Sequence, residues 1–245
     1  MKIKYLSLFS GIGGFEVAIQ SLYPESECIG YSEVKKSAID VYSQHYPSHN
    51  NIGDITNITK EQIQDLVRKE GCDLVVGGFP CTNLTSIART GGNSDGLDGP
   101  KSGLFWKMID IIEWIVEINP SLDVLIENNG SMQIKWRKII KDNLETILNK
   151  SIFQTKINAE LLSYQKRNRI YWTTFDIKNI DCDYDYDFND ILETDITNYK
   201  VNDKYINNSM NGIWKGTYNG LCDYIDVEDN YIIKKVNVQD GKTRL

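Results

Sequence analysis

An α/β fold, with a mainly parallel sheet and helices on both faces, is what three features of the chain predict. Short apolar runs alternate with amphipathic stretches over residues 5–175, the pattern of repeated strand, helix, strand units. Breakers punctuate the joins: Pro47 stops one amphipathic stretch and Asn119-Pro120 ends another. No internal repeat or low-complexity linker interrupts the alternation. With 245 residues, 41% of them hydrophobic, the chain can bury a sizeable core as one large domain or as a domain plus an appendage.

In chain order, YLSLF (5–9) reads as a buried strand, GFEVAIQSLY (14–23) as a helix and CIGYSE (28–33) as a strand. KSAIDVYSQHY (36–46) and KEQIQDLVRKE (60–70) read as helices, and DLVVGG (73–78) as the next strand. LFWKMIDIIEWIVEI (104–118) is apolar nearly all round, as a helix buried between layers would be. Strand DVLIE (123–127), helix KWRKIIKDNLETIL (135–148) and two strand-like runs, IFQTKIN and RIYWTTF, complete the pattern. Near residue 176 the organisation changes: DIKNIDCDYDYDFNDILETD is rich in carboxylates and has no clear period. The division expected is therefore a domain over 1–175 and an acidic appendage over 176–245.

The net charge of −7 argues against wholesale electrostatic binding of nucleic acid. The imbalance is lopsided, however: residues 176–245 hold 14 acids and 8 bases, which leaves the first part near neutral and free to carry a local basic groove. The five cysteines, Cys28, Cys72, Cys81, Cys182 and Cys222, include no close pair and no zinc spacing, so neither a disulfide framework nor a metal site is expected. His45 and His49 are split by Pro47 and do not share a helical face. MKIKYLSLFSGIGG makes a poor signal peptide, and there is no apolar run of about 18 residues, so no membrane span is expected and a reducing cytoplasm is the expected location.

In a sheet of this kind ligands gather at the carboxyl ends of the strands, so the strand-to-helix junctions are where chemistry is sought. At the first, LFSGIGGFE, Gly11, Gly13 and Gly14 permit a tight turn and close approach of a ligand to backbone N–H groups; dinucleotides, methyl donors and plain packing all use such turns. At the second, Glu33 ends its strand 22 residues after Gly11, where a carboxylate can take both hydroxyls of a ribose. At the third, NIGDIT sets Asp54 to accept from an adenine amino group with Ile55 packing on the ring. Together these point to an adenosine-containing cofactor without saying which. At the fourth, GGFPC places Cys81 in a loop at the same edge, where a thiol becomes a thiolate if cations or helix N–H groups lie nearby. IENN brings Glu127 to that edge from the next strand.

These motifs, in this order, resemble the DNA cytosine methyltransferases that act at carbon 5 of the base. The resemblance covers residues 3–175: LFSGIGGFE matches the donor-binding turn, YSEV the ribose-binding strand end, GDI the adenine segment, GGFPC the nucleophile loop and KSGLFW (101–106) the helix after the catalytic loop. IEN matches the catalytic-glutamate strand and QKRNR (165–169) the Gln-x-Arg-x-Arg element. What the resemblance implies is a Rossmann-like sheet of the S-adenosylmethionine-dependent methyltransferase type and a covalent mechanism. Cys81 would attack carbon 6, Glu127 would contact ring N3 and the exocyclic amine, and Arg167 and Arg169 would bring positive charge, Arg169 meeting the base oxygen. Phe9 would stack on the donor's adenine, with Gly11, Gly13, Gly14, Glu33, Val34, Asp54, Ile55, Pro80 and Leu104 completing the cofactor site. The cytosine would be flipped out of double-stranded DNA, and ARTGGNSDGLDGPKSG (88–103) has the composition of a loop that closes over it. A bacterial or phage-encoded cytoplasmic enzyme of restriction-modification or phage self-protection is the implied setting.

The chain also departs from the family pattern. Thr82 stands where a Gln usually follows the cysteine, and Asn129 replaces the usual valine after Glu-Asn, a polar group expected in the pocket wall. The helix bearing an Arg and a Leu-Thr pair, and the closing Gly-Asn segment, are not found, and residues 176–245 leave room only for a connecting segment and a rudimentary target-recognition region. A two-chain enzyme whose partner supplies recognition and the closing motifs is the preferred explanation, ahead of a truncated gene and of a methyltransferase-like protein that only binds DNA or a partner. An RNA cytosine methyltransferase of the same fold is the remaining alternative. A nicotinamide-dependent dehydrogenase would explain the Gly turn and Glu33 but leaves Cys81, Glu127 and Arg169 unexplained.

Overall fold

The computed structural model describes residues 2–81, 96–99, 103–161, 163 and 165–177, and three strands at 222–226, 233–237 and 243–244. They belong to two compact units, Met1–Asp185 and Tyr186–Leu245. In the first, β1 (Lys4–Leu8), β2 (Glu27–Ser32), β3 (Leu74–Gly77), β4 (Asp123–Asn129), β5 (Phe153–Asn158) and β6 (Asn168–Thr173) form one sheet in the order β2-β1-β3-β4-β6-β5. The first four run parallel; β6 lies antiparallel between β4 and β5. The sheet is mainly parallel as expected, with its exception at the edge that carries the QKRNR element.

Strand alternation sorts the core into two layers. Leu6 and Leu8 of β1, Val75, Val124, Ile126, Ile170 and Trp172 pack on one face against α3 (Lys60–Glu70), α4 (Leu104–Val116) and α5 (Ile134–Leu148). On the other, Tyr5 and Val76 meet Ile19 of α1 (Gly14–Leu22), and Tyr31 stacks on Tyr42 of α2 (Lys36–His45). Local chemistry sets the helix ends. Thr59 and Gln62 form a reciprocal capping box at the start of α3, and α5 stops at Asn149 in the left-handed region.

No expected element over residues 5–175 has an end displaced by more than two residues. Three expectations change. The helix α4 is not enclosed all round: Phe105, Met108, Ile109, Ile112 and Ile115 face the core, while Lys107 and Glu113 face water, because charges interrupt the apolar circumference at helical spacing. In the glycine-rich 88–103 segment, Gly96–Asp98 is a 3-10 turn whose Leu97 is buried in the main core; residues 82–95 lie outside the described residues, and so does Thr82. The second unit holds an antiparallel sheet of β7 (Cys222–Asp226), β8 (Ile233–Asn237) and β9 (Thr243–Arg244), which the sequence reading did not anticipate. From Lys178 on, the acidic segment lies outside the described residues. No described helix is long and apolar enough to cross a membrane.

The strand order creates a switch point. From β1 the chain goes outward to β2 and then returns to the opposite side of β1 as β3, so the loops after β1 and β3 leave the sheet in opposite directions from adjacent strands.

The one-sided burial of α4 is open to test by urea denaturation. Phe105→Ala should lose about 3–5 kcal/mol of stability, whereas Glu113→Ala on the outer face should stay within about 0.5 kcal/mol of the parent.

Candidate active site

The turn after β1 is built before any ligand arrives. Phe9 turns out of the strand at φ 55°, a left-handed conformation strained for a residue with a side chain. Gly13 has φ 96°, and a Cβ there would lie 2.7 Å from the Tyr46 ring, so only glycine lets the turn rest on the α2 aromatics. The Glu33 carboxylate fastens this turn to β2: Oε2 accepts from Gly11 N–H at 2.9 Å, and Oε1 accepts from the N–H groups of Val34 and Lys35, both at 2.8 Å. Phe9, Gly11, Gly13, Gly14 and Glu33 are therefore brought together at one edge, with Val34 presented to solvent at 65% exposure.

At the neighbouring segment, Asp54 Oδ1 accepts from Thr56 N–H (2.9 Å) and Thr56 Oγ (2.8 Å), capping a 3-10 turn and staying exposed. That turn draws Ile55 into the main core at 4% exposure. Ile55, expected to pack on the ring, is covered by the core except for a small part of its side chain.

The loop after β3 is shaped by close approaches. A Cβ on Gly77 would sit 2.9 Å from the Leu8 carbonyl oxygen, and one on Gly78 would sit 2.9 Å from Glu127 Oε2. Phe79 packs on Phe105, and its carbonyl accepts from Asn128 Nδ2 at 2.9 Å, deep in the protein. These contacts hold the backbone that leads through half-buried Pro80 to half-buried Cys81. Leu104, half-buried at the start of α4, packs against the same core.

Antiparallel pairing of β4 and β6 sets Glu127 opposite Tyr171 and Asn129 opposite Arg169. Arg169 is thus the diagonal neighbour of Glu127 on the same face, and the two form an ion pair with about a fifth of each side chain exposed (20% and 21%). Burial pushes the Glu127 carboxyl above the usual carboxylate range, with Arg169 and then Arg167 opposing. Burial likewise pushes the Cys81 thiol up, opposed by Arg169, while Glu127 adds to the rise. Cys81, Glu127 and Arg169 therefore act on one another electrostatically. Arg167 is exposed and reaches Glu127 by charge alone.

Three contributors escaped the sequence reading: Gly78, whose missing side chain makes room for Glu127; Asn128; and Tyr171, whose phenol is pushed up by burial and by Glu127. Two-residue alternation from Arg169 is the signal that would have found Tyr171. Asn129, expected in the pocket wall, shares the strand face of Glu127, and its Oδ1 accepts from Ser131 N–H and Oγ, closing the turn after β4. A separate cavity of about 280 Å³, lined by Asn50, Ile52, Ile58, Gln62, Ile63 and Leu66, contains none of the site residues. Among the described residues no cluster of His, Cys, Asp or Glu could hold a metal ion.

Comparison with known proteins follows the same line. A family model described as C-5 cytosine-specific DNA methylase matches residues 3–242. The orphan methyltransferase M.Rho11sI of Bacillus phage rho11s is 32% identical over 180 residues, covering 69% of this chain and 32% of that protein. The type II methyltransferase M2.BsuMI of Bacillus subtilis (strain 168) is 36% identical over 126 residues, covering 51% and 29%. In fold, the chain resembles the solved Entamoeba histolytica methyltransferase EhMeth, with a TM-score of 0.62 at 17% identity, covering 86% of this chain and 66% of that one. The chain spans about a third of the length of these two curated relatives.

The coupling of Arg169 to Cys81 predicts how the thiol should respond to its loss. In Arg169→Ala the thiol loses its main opposing cation, and site-resolved alkylation of Cys81 should shift to higher pH. Protonation of the now unpaired Glu127 offsets only part of that shift, because Arg169 outweighs Glu127 at the sulfur. A second variant, Asn128→Ala, leaves the Phe79 carbonyl without its partner and should lose about 1–3 kcal/mol in thermal denaturation.

Proposed function

The chain belongs to the C-5 cytosine-specific DNA methylase family, and we propose that it is the catalytic part of a methyltransferase that moves a methyl group from S-adenosylmethionine to carbon 5 of a cytosine flipped out of double-stranded DNA. The observation that carries this reading is the convergence of Cys81, Glu127 and Arg169 at the carboxyl edge, beside the switch point.

The donor fits the residues around the first turn. At Gly11 and Gly14 a Cβ would meet nothing within 4 Å, so there is open space over backbone N–H groups at a helix start. The Glu33 carboxylate has about four lone-pair sites, three of them filled by backbone N–H groups, so capture of both ribose hydroxyls requires one of these N–H groups to share its acceptor. Phe9 and Val34 offer apolar surface, Asp54 keeps Oδ2 for an amino group, and Pro80 and Leu104 border the space between donor and thiol. Bound there, the donor supplies an electrophilic methyl carbon.

The protein's part in the reaction is to make carbon 5 nucleophilic. The Cys81 thiolate adds to carbon 6, forming a C–S bond and driving the ring electrons toward N3 and carbon 5. Glu127, raised by burial, is suited to carry the proton that N3 needs, and Arg169 neutralises charge at the neighbouring oxygen. Carbon 5 then forms its bond to the methyl group as the methyl–sulfonium bond breaks and leaves a neutral thioether; the carbon 5 proton is lost to solvent, the N3 proton returns to Glu127, and the C–S bond to Cys81 breaks to restore the thiolate.

Residues 1–175 serve in this reading as the catalytic domain, and 176–245 as an acidic connecting segment with a rudimentary recognition region. A second chain supplies the remaining recognition and closing elements, and the setting is the cytoplasm of a bacterium or phage-infected cell. The test is incubation with labelled donor and a duplex containing 5-fluorocytosine, with the chain alone and with the product of the neighbouring reading frame. The fluorine blocks the final elimination, so a covalent protein–DNA adduct is expected, and Cys81→Ser should remove it. Absence of an adduct in both settings, with donor binding intact, rejects the enzyme reading; an adduct only with the neighbour establishes the second chain.

A further inference from the structure

The chain carries a net charge of −7, yet its positive charges are not evenly neutralised. At the amino edge of the sheet Lys2, Lys4, Lys69 and Lys150 all pair with carboxylates, those of Glu27, Glu70 and Asp123. Lys36, Lys107, Lys138 and Lys141 pair within their own helices. The lysines and arginines with no carboxylate partner among the described residues are Lys35, Lys135, Arg137, Lys156, Lys166 and Arg167. Lys35 stands apart, after β2; the other five meet at one corner of the carboxyl edge.

The chain ties that corner together. β4 reaches the edge at Asn129 and β6 starts back from it at Asn168, so the turn after β4 and the β5–β6 connection lie side by side, and Gly130 N–H donates to the Asn168 carbonyl at 3.1 Å. Arg137 of α5 donates from Nη2 to the Gly130 carbonyl at 2.8 Å, and its Nε is buried with no partner among the described residues, so its guanidinium braces the turn. On the other side Arg167 N–H donates to Asn158 Oδ1 at 3.0 Å, and its carbonyl accepts from Ala159 N–H at 3.1 Å. Lys166 is exposed in the same connection, and Lys156 is exposed two residues before the end of β5, opposite Ile170 on the face that carries α5. Exposed Lys135 at the start of α5 holds its Nζ 4.4 Å from the centroid of the Trp136 ring, and that ring lies against Gly96, where a Cβ would overlap it. The ring thus fixes where this ammonium is presented. Of the nearby acids, Glu127 is matched by Arg169 and Asp142 by Lys138; exposed Glu160 accepts from Asn158 Nδ2 at 2.8 Å.

We propose that Lys135, Lys156 and Lys166 form a phosphate-binding corner, which takes the backbone of the DNA duplex on the β4–β6 side of the pocket while the target base is at Cys81. The choice of DNA as the polyanion rests on the methyltransferase reading. A phosphodiester backbone is a row of negative charges, and it gains most from exposed cations that no neighbouring carboxylate already neutralises. Such contacts position a duplex without reading its sequence. The corner adjoins Arg169 and Glu127, so phosphates held there run beside the base pocket. The carboxylates of Glu27, Glu70 and Asp123 belong to the opposite edge of the sheet, and exposed charges further apart than the Debye length, about 10 Å at 0.1 M salt, are largely screened. The net charge of the chain therefore does not oppose docking at this corner.

Fluorescence anisotropy titration of the full chain with a labelled DNA duplex, between about 50 mM and about 200 mM salt, reads the number of phosphates engaged. Combining Lys135→Gln, Lys156→Gln and Lys166→Gln should reduce the slope of log affinity against log salt by about 0.9 for each lysine, about 2.7 in all, and leave the thermal midpoint at that of the parent. Combining Lys2→Gln, Lys60→Gln and Lys69→Gln changes the net charge by the same amount and should leave the slope as it is in the parent. Equal losses in both sets, or none in either, overturn the corner, and so does a folded parent with no salt-dependent binding to the duplex. Tighter binding of an RNA hairpin than of the duplex, lost in the corner set, overturns the assignment to DNA. The 5-fluorocytosine adduct separates the two readings: an adduct with equal slopes for all three proteins rejects the corner alone, whereas a reduced slope in the corner set with no adduct in either setting rejects the reaction and leaves the phosphate surface standing.

Discussion

A carboxylate and a guanidinium meeting diagonally across β4 and β6 hold the site together. Glu127 is mostly withdrawn from water, and a charge so placed persists only with a partner close by. The partner can come from β6 only because that strand runs antiparallel, which sets Arg169 opposite Asn129 and so one diagonal step from Glu127. The pair then dictates its surroundings. Gly78 must lack a side chain because the carboxylate lies over it, and the loop that follows, pinned at Phe79 by Asn128, carries Cys81 into reach of the same guanidinium. One cation thereby serves both groups, opposing the burial that favours a neutral carboxyl and the burial that favours a neutral thiol.

The donor turn obeys a different constraint, that of backbone geometry. Two loops leave the sheet from adjacent strands at the switch point, and the one after β1 bends tightly enough to need left-handed conformations at Phe9, Gly11 and Gly13. Its strain is held in place by Glu33, which collects three backbone N–H groups from two segments, and from below by the tyrosines of α2. Hydrogen bonds of this kind involving a charged acceptor are among the stronger ones. The turn is therefore preorganised by its own chain, and a ligand entering there inherits a shaped cradle without having to fold it.

Much of this was legible in the sequence, for reasons that particular residues make plain. Pro47 and Asn119-Pro120 mark helix ends because proline cannot continue a helix, and the apolar runs between glycines mark buried parallel strands, so the order of elements could be read directly. Cys81 and Glu127 could be placed at one edge because junction residues of a parallel sheet share it, whereas Arg169 was named only through the family resemblance. What was not legible depends on direction and on the third dimension. RIYWTT announces a strand but not its orientation, and without the antiparallel register Tyr171 could not be placed beside Glu127. The fully apolar look of α4 came from counting residues instead of spacing them; Lys107 and Glu113 already marked its outer face. Asn128 and Asn129 are adjacent and chemically identical, yet strand alternation sends one into the core to hold Phe79 and the other outward to close a turn.

Two buried carboxyl groups in one domain show how surroundings divide labour. Both Glu127 and Glu16 are pushed upward by burial. Around Glu127 the opposing influences are full positive charges, Arg169 in contact and Arg167 further off, which hold back the rise that burial imposes. Around Glu16 they are neutral hydrogen bonds from hydroxyl groups and its own backbone, which soften burial without balancing a charge. The difference lies in what the neighbouring segments bring: the run Arg167–Arg169 leading into β6 brings arginines to one carboxyl, whereas β1, β2 and α2 bring phenols, a hydroxyl and a thiol to the other. The same side chain thus meets different opposition to its burial on β4 and on α1.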